Sequence, residues 1–321
     1  MKHSRRAFIK TTSAATAGVV IAPNILAVKC STDVNTFPIG VFTKCLQFLD
    51  YDKLGVTLAK AGFKNAELPV RKGGIVLPEN VKTDLPKVIK ALKKSGIKVP
   101  MMVSDINNAE DPATEAVIAT AAEAGIKYYR MGYLAYDPAK SIMENLDIHK
   151  IAFEKLEQIN RKYQIHGCYQ NHSGTRVGGP VWDLYSLVKD RDPVFIGVQY
   201  DIRHAVVEGG VSWPLGMKLL APWIKTTAIK DFIWNREDGK WKLTNLPLGE
   251  GMVDFDAYLK EYIKLGISGP VTIHYEYDLG GAESGKKEPT MSLEKITEFL
   301  IKDLSWLKMK FTEHGIIGSY S

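Results

Sequence analysis

Cysteine is scarce in this chain: three occur in 321 residues, at Cys30, Cys45 and Cys168. Their spacing matches no metal-binding pattern, and three are too few for a disulfide scaffold. Apolar runs long enough to span a bilayer are also missing. No glycine-rich phosphate fingerprint follows the first strand pattern, which counts against a dinucleotide-binding fold and a nucleotide cofactor. No proline- or serine-rich linker divides the chain and no segment is of low complexity, so one domain is expected. An excess of basic charge is lacking too, once its location is considered. The net charge is +6, but residues 1–29 hold Lys2, Arg5, Arg6, Lys10 and Lys29 and no acid. The remainder is nearly neutral, which excludes the electrostatic footprint of a nucleic-acid binder.

What is present begins with that N-terminus. "SRRAFIK" at Ser4–Lys10 precedes the uncharged run "TTSAATAGVVIAPNILA". A charged start, a short apolar run and small residues describe a signal peptide over 1–29, of twin-arginine type. A periplasmic location is therefore expected, with no stable membrane insertion after the signal is removed. Lys29 stands where a small residue should precede a lipidated cysteine, which argues against Cys30 as a lipid anchor.

From residue 37 onward, short β-branched or apolar runs alternate with longer helical patterns. The runs are "PIGVFT", "KNAELPV", "KVPMMVS", "KYYRMG", "HGCYQNH", "VFIGVQYD", "IKTTAIKD" and "GPVTIHYEY". Each precedes a helix pattern, the sixth a short one near 213–221, and several helices end at glycine. Eight such units over 37–312 predict parallel strands with crossover helices closed into a (β/α)8 barrel, a TIM barrel of the α/β class, with residues 313–321 as a tail.

In such a barrel the chemistry collects at the C-terminal strand ends. Strand 2 ends with Glu67, and strand 5 with Gln170, Asn171 and His172. Strand 6 ends with Asp201, followed by His204. Strand 7 ends with Lys230 and Asp231, and strand 8 with His274 and Glu276. Residues two apart on a strand share a face, so Gln170 and His172 are expected to point inward together, as are His274 and Glu276. Asp201 has a plainer alternative as a helix or turn cap. Trp182, Trp213 and Trp234 fall in loops after strands 5, 6 and 7, and Trp213 is a candidate aromatic wall for a sugar.

These segments resemble the xylose isomerase-like TIM barrel superfamily of sugar phosphate isomerases and epimerases. The resemblance covers roughly residues 37–310. It rests on "YQNHSG", "DIRH", "IKD", "LGEGMVDF" and the acid of "TIHYEYD" in their order along the units. It implies a divalent metal (Mn, Mg or Zn) held by a strand 5 glutamate, a strand 6 aspartate, a strand 7 histidine and a strand 8 glutamate. The two glutamates act as the acid/base pair, and the histidine three after the aspartate holds substrate. Carried over, Asp201 and Glu276 match metal ligands and His204 the substrate histidine. Two positions depart: Gln170 replaces the strand 5 glutamate and Ala228 the strand 7 histidine. A weakened metal site is then expected at Asp201 and Glu276, with Gln170 or His172 as further ligands.

Since a carboxamide cannot take a proton from carbon, the two-base mechanism is damaged as well. The leading expectation is an isomerase or epimerase acting by proton abstraction next to a sugar carbonyl. Glu276, Lys230 and His204 would be catalytic. Glu67, Gln170, Asn171, His172, His274 and Trp213 would bind a small carbohydrate. A lyase or dehydratase performing β-elimination on keto-sugars or keto-glycosides, with one base, is the first alternative. A non-catalytic sugar-binding protein is the second. The endonuclease branch needs a zinc cluster and a basic face, and the chain has neither. Export and the scatter of Arg71, Arg130, Arg176 and Arg203 along the sequence favour a non-phosphorylated, neutral sugar. The sequence does not set the oligomeric state.

Overall fold

The computed structural model describes residues 38–316, so the expected signal over 1–29 and residues 317–321 of the tail lie outside the described residues. Eight parallel strands close the barrel: β1 (Ile39–Phe42), β2 (Asn65–Pro69), β3 (Lys98–Val103), β4 (Tyr128–Arg130), β5 (His166–Gln170), β6 (Ile196–Asp201), β7 (Ile224–Ile229) and, last in the chain, β10 (Val271–Ile273). Each strand pairs with its predecessor, and β1 closes on β10 with Ile39 level with Val271. Strands β2, β5 and β6 are buried along their whole length, because a layer of helices covers the outer face.

Local chemistry starts and stops the helices as the sequence suggests. Asp50 caps α1 (Tyr51–Lys60) by accepting the Lys53 N–H at 2.8 Å. Ser141 and Glu144 form a reciprocal capping box at the start of α4 (Ile142–Tyr163). Gly62 follows α1 with φ 87°, a left-handed stop that costs a residue with a Cβ more than glycine. The remaining helices are α2 (Val81–Lys94), α3 (Pro112–Glu123), α5 (Val181–Val188), α6 (Ile202–Gly209), α7 (Trp213–Leu220), α8 (Phe255–Lys264) and α9 (Leu293–Glu313). No helix among the described residues is long and apolar enough to cross a membrane.

Two elements differ from the sequence reading. "IRHAVVEG" forms α6 directly after β6, where only a helix near 213–221 is expected; Asp201 is its N-cap, accepting the His204 N–H at 3.2 Å. The second is an antiparallel hairpin after β7, made of β8 (Asp231–Glu237) and β9 (Lys240–Leu246). Its turn is Asp238-Gly239, both at positive φ (50° and 75°), which suits the twist of a tight hairpin.

Asp231 roots this hairpin. Its carboxylate accepts backbone N–H groups from Phe232 (2.8 Å), Gly249 (3.0 Å), Gly251 (2.9 Å) and Val253 (3.2 Å). "LGEGMVDF" is thus a backbone cradle around one carboxylate. A Cβ at Gly251 would lie 2.2 Å from Asp231 Oδ1, which explains the glycine. Asp231→Ala orphans four N–H groups and is expected to cost about 3 kcal/mol or more. Urea denaturation checks this; an unchanged midpoint would show that the cradle is held otherwise.

Candidate active site

The strand ends gather around one ammonium group. Asp201 closes β6 level with Ala228 of β7, and Lys230 stands two residues beyond Ala228. Lys230 is 2% exposed. Its Nζ lies 2.9 Å from Asp201 Oδ2, 3.3 Å from Glu276 Oε1 and 2.7 Å from His204 Nε2. Burial lowers the ammonium's pKa, but the Asp201 and Glu276 carboxylates outweigh it and raise it above the ordinary lysine value. Burial likewise pushes the Glu276 carboxyl up, and the charges of Lys230, Lys44, His274 and Arg203 overcome that and hold it well below the ordinary range. Glu276 is therefore ionised. Its side chain is 25% exposed while those of Asp201 and Lys230 are buried, so Glu276 is the acid of this group that a substrate can reach.

Asp201 is committed to the protein. Oδ2 accepts from Lys230 and from Gln170 Nε2 (2.8 Å), and Oδ1 from the His204 N–H. Asn171 clamps the same strand end, donating to the Asp201 carbonyl at 2.9 Å and accepting its N–H at 2.7 Å. Gln170 turns its amide NH2 to Asp201 and its oxygen to Arg130 (3.0 Å) and the Tyr133 hydroxyl (2.5 Å).

Below this level sits a second pair. Glu67 is fully buried and bonds His274 Nε2 at 2.8 Å and Gln199 Nε2 at 3.1 Å. Burial raises the Glu67 carboxyl, and the imidazole and Arg130 more than reverse this, so it is lowered overall. The Phe42 ring covers His274 at 4.9 Å. Glu67 and His274 satisfy each other, so they position the site rather than bind substrate.

His204 lies between two cations. Nδ1 is 2.8 Å from Arg203 Nη1 and Nε2 is 2.7 Å from Lys230. Burial, followed by the charges of Lys230 and its neighbours, lowers its pKa, so the ring is neutral. A neutral imidazole accepts at one nitrogen only. Ser173 Oγ, 2.8 Å from Nδ1 and 3.2 Å from Arg203 Nη1, can take the hydrogens on that side, so Nε2 is free to accept from Lys230. His172 stacks on His204 with ring centres 3.9 Å apart, and its Nδ1 faces the Ser173 carbonyl at 2.9 Å. That carbonyl can only accept, so Nδ1 carries the proton and Nε2 keeps its lone pair. Burial and then Lys230 push His172 down to about 4.

The expected site residues divide accordingly. Glu276, Lys230, His204, Asp201, Gln170 and His172 come together. Glu67 and His274 pair in the barrel interior. Asn171 serves Asp201. Trp213 is 8% exposed and packs against Tyr258, with ring centres 6.3 Å apart, so its role is core packing. The reading of strand ends passes over Lys44, Arg71, Arg130, Tyr133 and Arg203. "VFTK", "PVR" and "YYRMGY" already carry four of these at or just past the ends of β1, β2 and β4. The four arginines, distant in sequence, also converge. Arg71 and Arg130 lie 5.5 and 5.7 Å from the Phe42 ring centre, Arg130 and Arg176 lie 5.0 and 4.6 Å from that of Tyr133, and Arg203 reaches His204.

The donor set does not fit a divalent metal. Ala228 offers no ligand, and Gln170 spends its oxygen on Arg130 and Tyr133. The Lys230 ammonium stands between Asp201 and Glu276, the two carboxylates that should hold the ion. No group of three His, Cys, Asp or Glu side chains suited to a metal occurs among the described residues. The metal ligation expected at Asp201 and Glu276, with Gln170 or His172, thus lacks its geometry.

The buried imidazoles make stability depend on pH. His166, near the bottom of the barrel, is pushed down to about 4 by burial. Folding keeps His166, His172 and His204 neutral, while the unfolded chain protonates histidines below about pH 6.5. Stability is expected to fall as pH drops from about 6.5 toward 4, with ~3 kcal/mol from His166. Asp303 opposes this: burial raises it to about 7, so the folded state keeps a proton there that the unfolded chain releases. Three imidazoles outweigh one carboxyl. Denaturation at pH 7 and pH 4.5 checks the sign, and His166→Gln should flatten the dependence.

A surface depression of about 990 Å³ is lined mainly by α2 and α3 and by none of the strand-end groups. The chemistry belongs to the barrel rim. A closed (β/α)8 barrel with an acid–lysine cluster at that rim is the class of protein the fold and site define. The chain belongs to the Xylose isomerase-like TIM barrel family, whose profile matches residues 57–301. It is similar in structure to a 3-keto-D-glucoside 4-epimerase from E. coli (14% identity, 85% of this chain and 100% of that one, TM-score 0.62). It is also similar to an L-ribulose 3-epimerase (12%, 87% and 96%, TM-score 0.66). A third likeness is to a probable 3-DHS dehydratase from Bacillus anthracis (13%, 85% and 98%, TM-score 0.59). At these identities the likenesses establish the fold. No curated protein matched in the sequence comparison.

Proposed function

We propose that this chain is a carbohydrate-active enzyme that removes a proton from the carbon next to a sugar carbonyl, with Glu276 as base and Lys230 as electrophile. The carrying observation is the Lys230 ammonium 3.3 Å from the reachable carboxylate of Glu276. Glu276 is the longest of the three contacts of Lys230, so Lys230 can turn that hydrogen to the carbonyl oxygen of a substrate. Lys230 then holds the enolate oxygen as charge develops, which is where a preformed donor contributes most. As Lys230 turns to the substrate, Glu276 loses part of the field that depresses its basicity, so it gains proton affinity when it must accept one. The lone pair of His172 Nε2 takes a hydrogen bond from a sugar hydroxyl.

Gln170 supports one-base chemistry. It occupies the place of the second acid and cannot accept a proton. Isomerisation, with the proton returned by the same base, and β-elimination both need only one base. Epimerisation at the attacked carbon needs a donor on the opposite face. Structural likeness to two sugar epimerases and a dehydratase supports a carbonyl-sugar substrate. The twin-arginine-type leader supports action outside the cytoplasm on a non-phosphorylated sugar. We further propose that the reaction runs without a divalent metal. Enzyme stripped with chelator should keep its full rate on a 3-keto-glycoside or ketose, and added Mn²⁺ or Mg²⁺ should leave it within twofold. A rate lost on chelation and restored by metal would overturn the lysine-centred reading.

A further inference from the structure

The rim carries more positive charge than its reaction requires. Lys230 is matched by Asp201 and Glu276. Lys44, Arg71, Arg130, Arg176 and Arg203 also surround the site, and among the described residues none of these five forms an ion pair with a carboxylate. Arg130 and Arg203 are each 5% exposed, and the Nε of each is buried without a hydrogen-bond partner. Lys44, Arg71 and Arg130 crowd one ring, 5.8, 5.5 and 5.7 Å from the centre of Phe42. Asp105, the acid nearest Arg71 in effect, spends Oδ2 on the Lys72 N–H. Guanidinium groups gathered and partly desolvated without a carboxylate in contact are costly, and an anion bound among them reduces that cost.

We infer that the substrate is a sugar acid, whose carboxylate is taken by Arg71 and Lys44 beside the Phe42 ring. Both side chains are half-buried, so a ligand at the rim can reach them. Arg71 presents the planar fork that matches two carboxylate oxygens, and Lys44 adds a point charge. The inference rests on the reading above that this rim takes a carbohydrate, and it names the group by which the sugar is oriented. A phosphate ester shares the anionic oxygens, so the test separates the two.

Ligand-observed NMR titrations of the intact protein with D-glucuronate, D-glucose 6-phosphate and D-glucose provide that test. Glucuronate is expected to bind at least tenfold more tightly than glucose, since a charge-assisted fork is worth that much. In Arg71→Met the advantage should fall to within about twofold while glucose affinity holds. Arg71→Lys, which keeps the charge and loses the fork, should fall between. Equal binding of acid and neutral sugar, or an advantage that survives Arg71→Met, overturns the inference. Tighter binding of glucose 6-phosphate than of glucuronate overturns the carboxylate assignment. Glu276→Gln separates this subsite from the chemistry: the preference should persist there without turnover. A protein that prefers glucuronate yet converts no carbonyl sugar would sink the reaction proposal and leave the subsite standing.

Discussion

Glu276→Gln is expected to lower kcat on a carbonyl sugar by about 10²–10⁴-fold, the usual contribution of a positioned general base. The glutamine keeps the size of the side chain and an oxygen for Lys230 (3.3 Å in the parent) but cannot accept a proton. KM should change little, because the loss falls on the transition state. Stability at neutral pH should fall, since the ionised carboxylate that Lys230, Lys44, His274 and Arg203 favour is removed from a rim rich in cations. Single-turnover kinetics beside a denaturation curve test both halves. Wild-type kcat in the variant would take the base role from Glu276 and pass it to the lone pair of His172.

Lys230→Met should damage both activity and fold. Loss of the donor to the developing enolate is expected to cost about 10²–10³-fold in kcat. The same change strips the buried carboxylate of Asp201 of its cation at 2.9 Å. Breaking a buried pair from one side typically costs 3–5 kcal/mol, because a charge is left without a partner. The double variant Lys230→Met with Asp201→Asn should recover much of that stability and none of the activity. Recovery of activity with stability would reduce Lys230 to a structural counter-ion.

The barrel is legible in the sequence because buried parallel strands read as short apolar runs and their helices carry their own caps and glycine stops. The closing order, the buried strands and the rim position of Asp201, Lys230 and Glu276 follow from that pattern. The hairpin is missed although Asp238-Gly239 between two alternating runs is a strong local signal. The eight-unit pattern explains the chain without it. Helix α6 is hidden by its length and by Gly209-Gly210, which read as a loop; Asp201 caps it, the plainer of its two expected roles. Side-chain direction is less legible. Glu67 and His274 read as strand-end residues like Glu276, yet Glu67 is the middle residue of β2 and bonds His274, one residue past β10, over the intervening β1. Whether a strand-end residue meets substrate or the layer below depends on strand tilt and stagger, which single strands do not encode. The arginines make the same point. Four residues spread over 71–203 converge on Phe42, Tyr133 and His204 because the closed barrel places β2, β4, β5 and β6 around one rim. Their scatter along the sequence therefore lends no support to a neutral sugar.

The reaction proposed for Glu276 and Lys230 can be read directly from the fate of one hydrogen. A 3-keto-glycoside labelled with deuterium at the carbon next to the carbonyl, incubated with metal-stripped enzyme, should lose its label from that carbon, to water or by return to the neighbouring carbon, with a primary isotope effect. Glu276→Gln should abolish the loss. Retention of the label at that carbon during turnover, or loss that appears only with added metal, would contradict a metal-free proton abstraction by this pair.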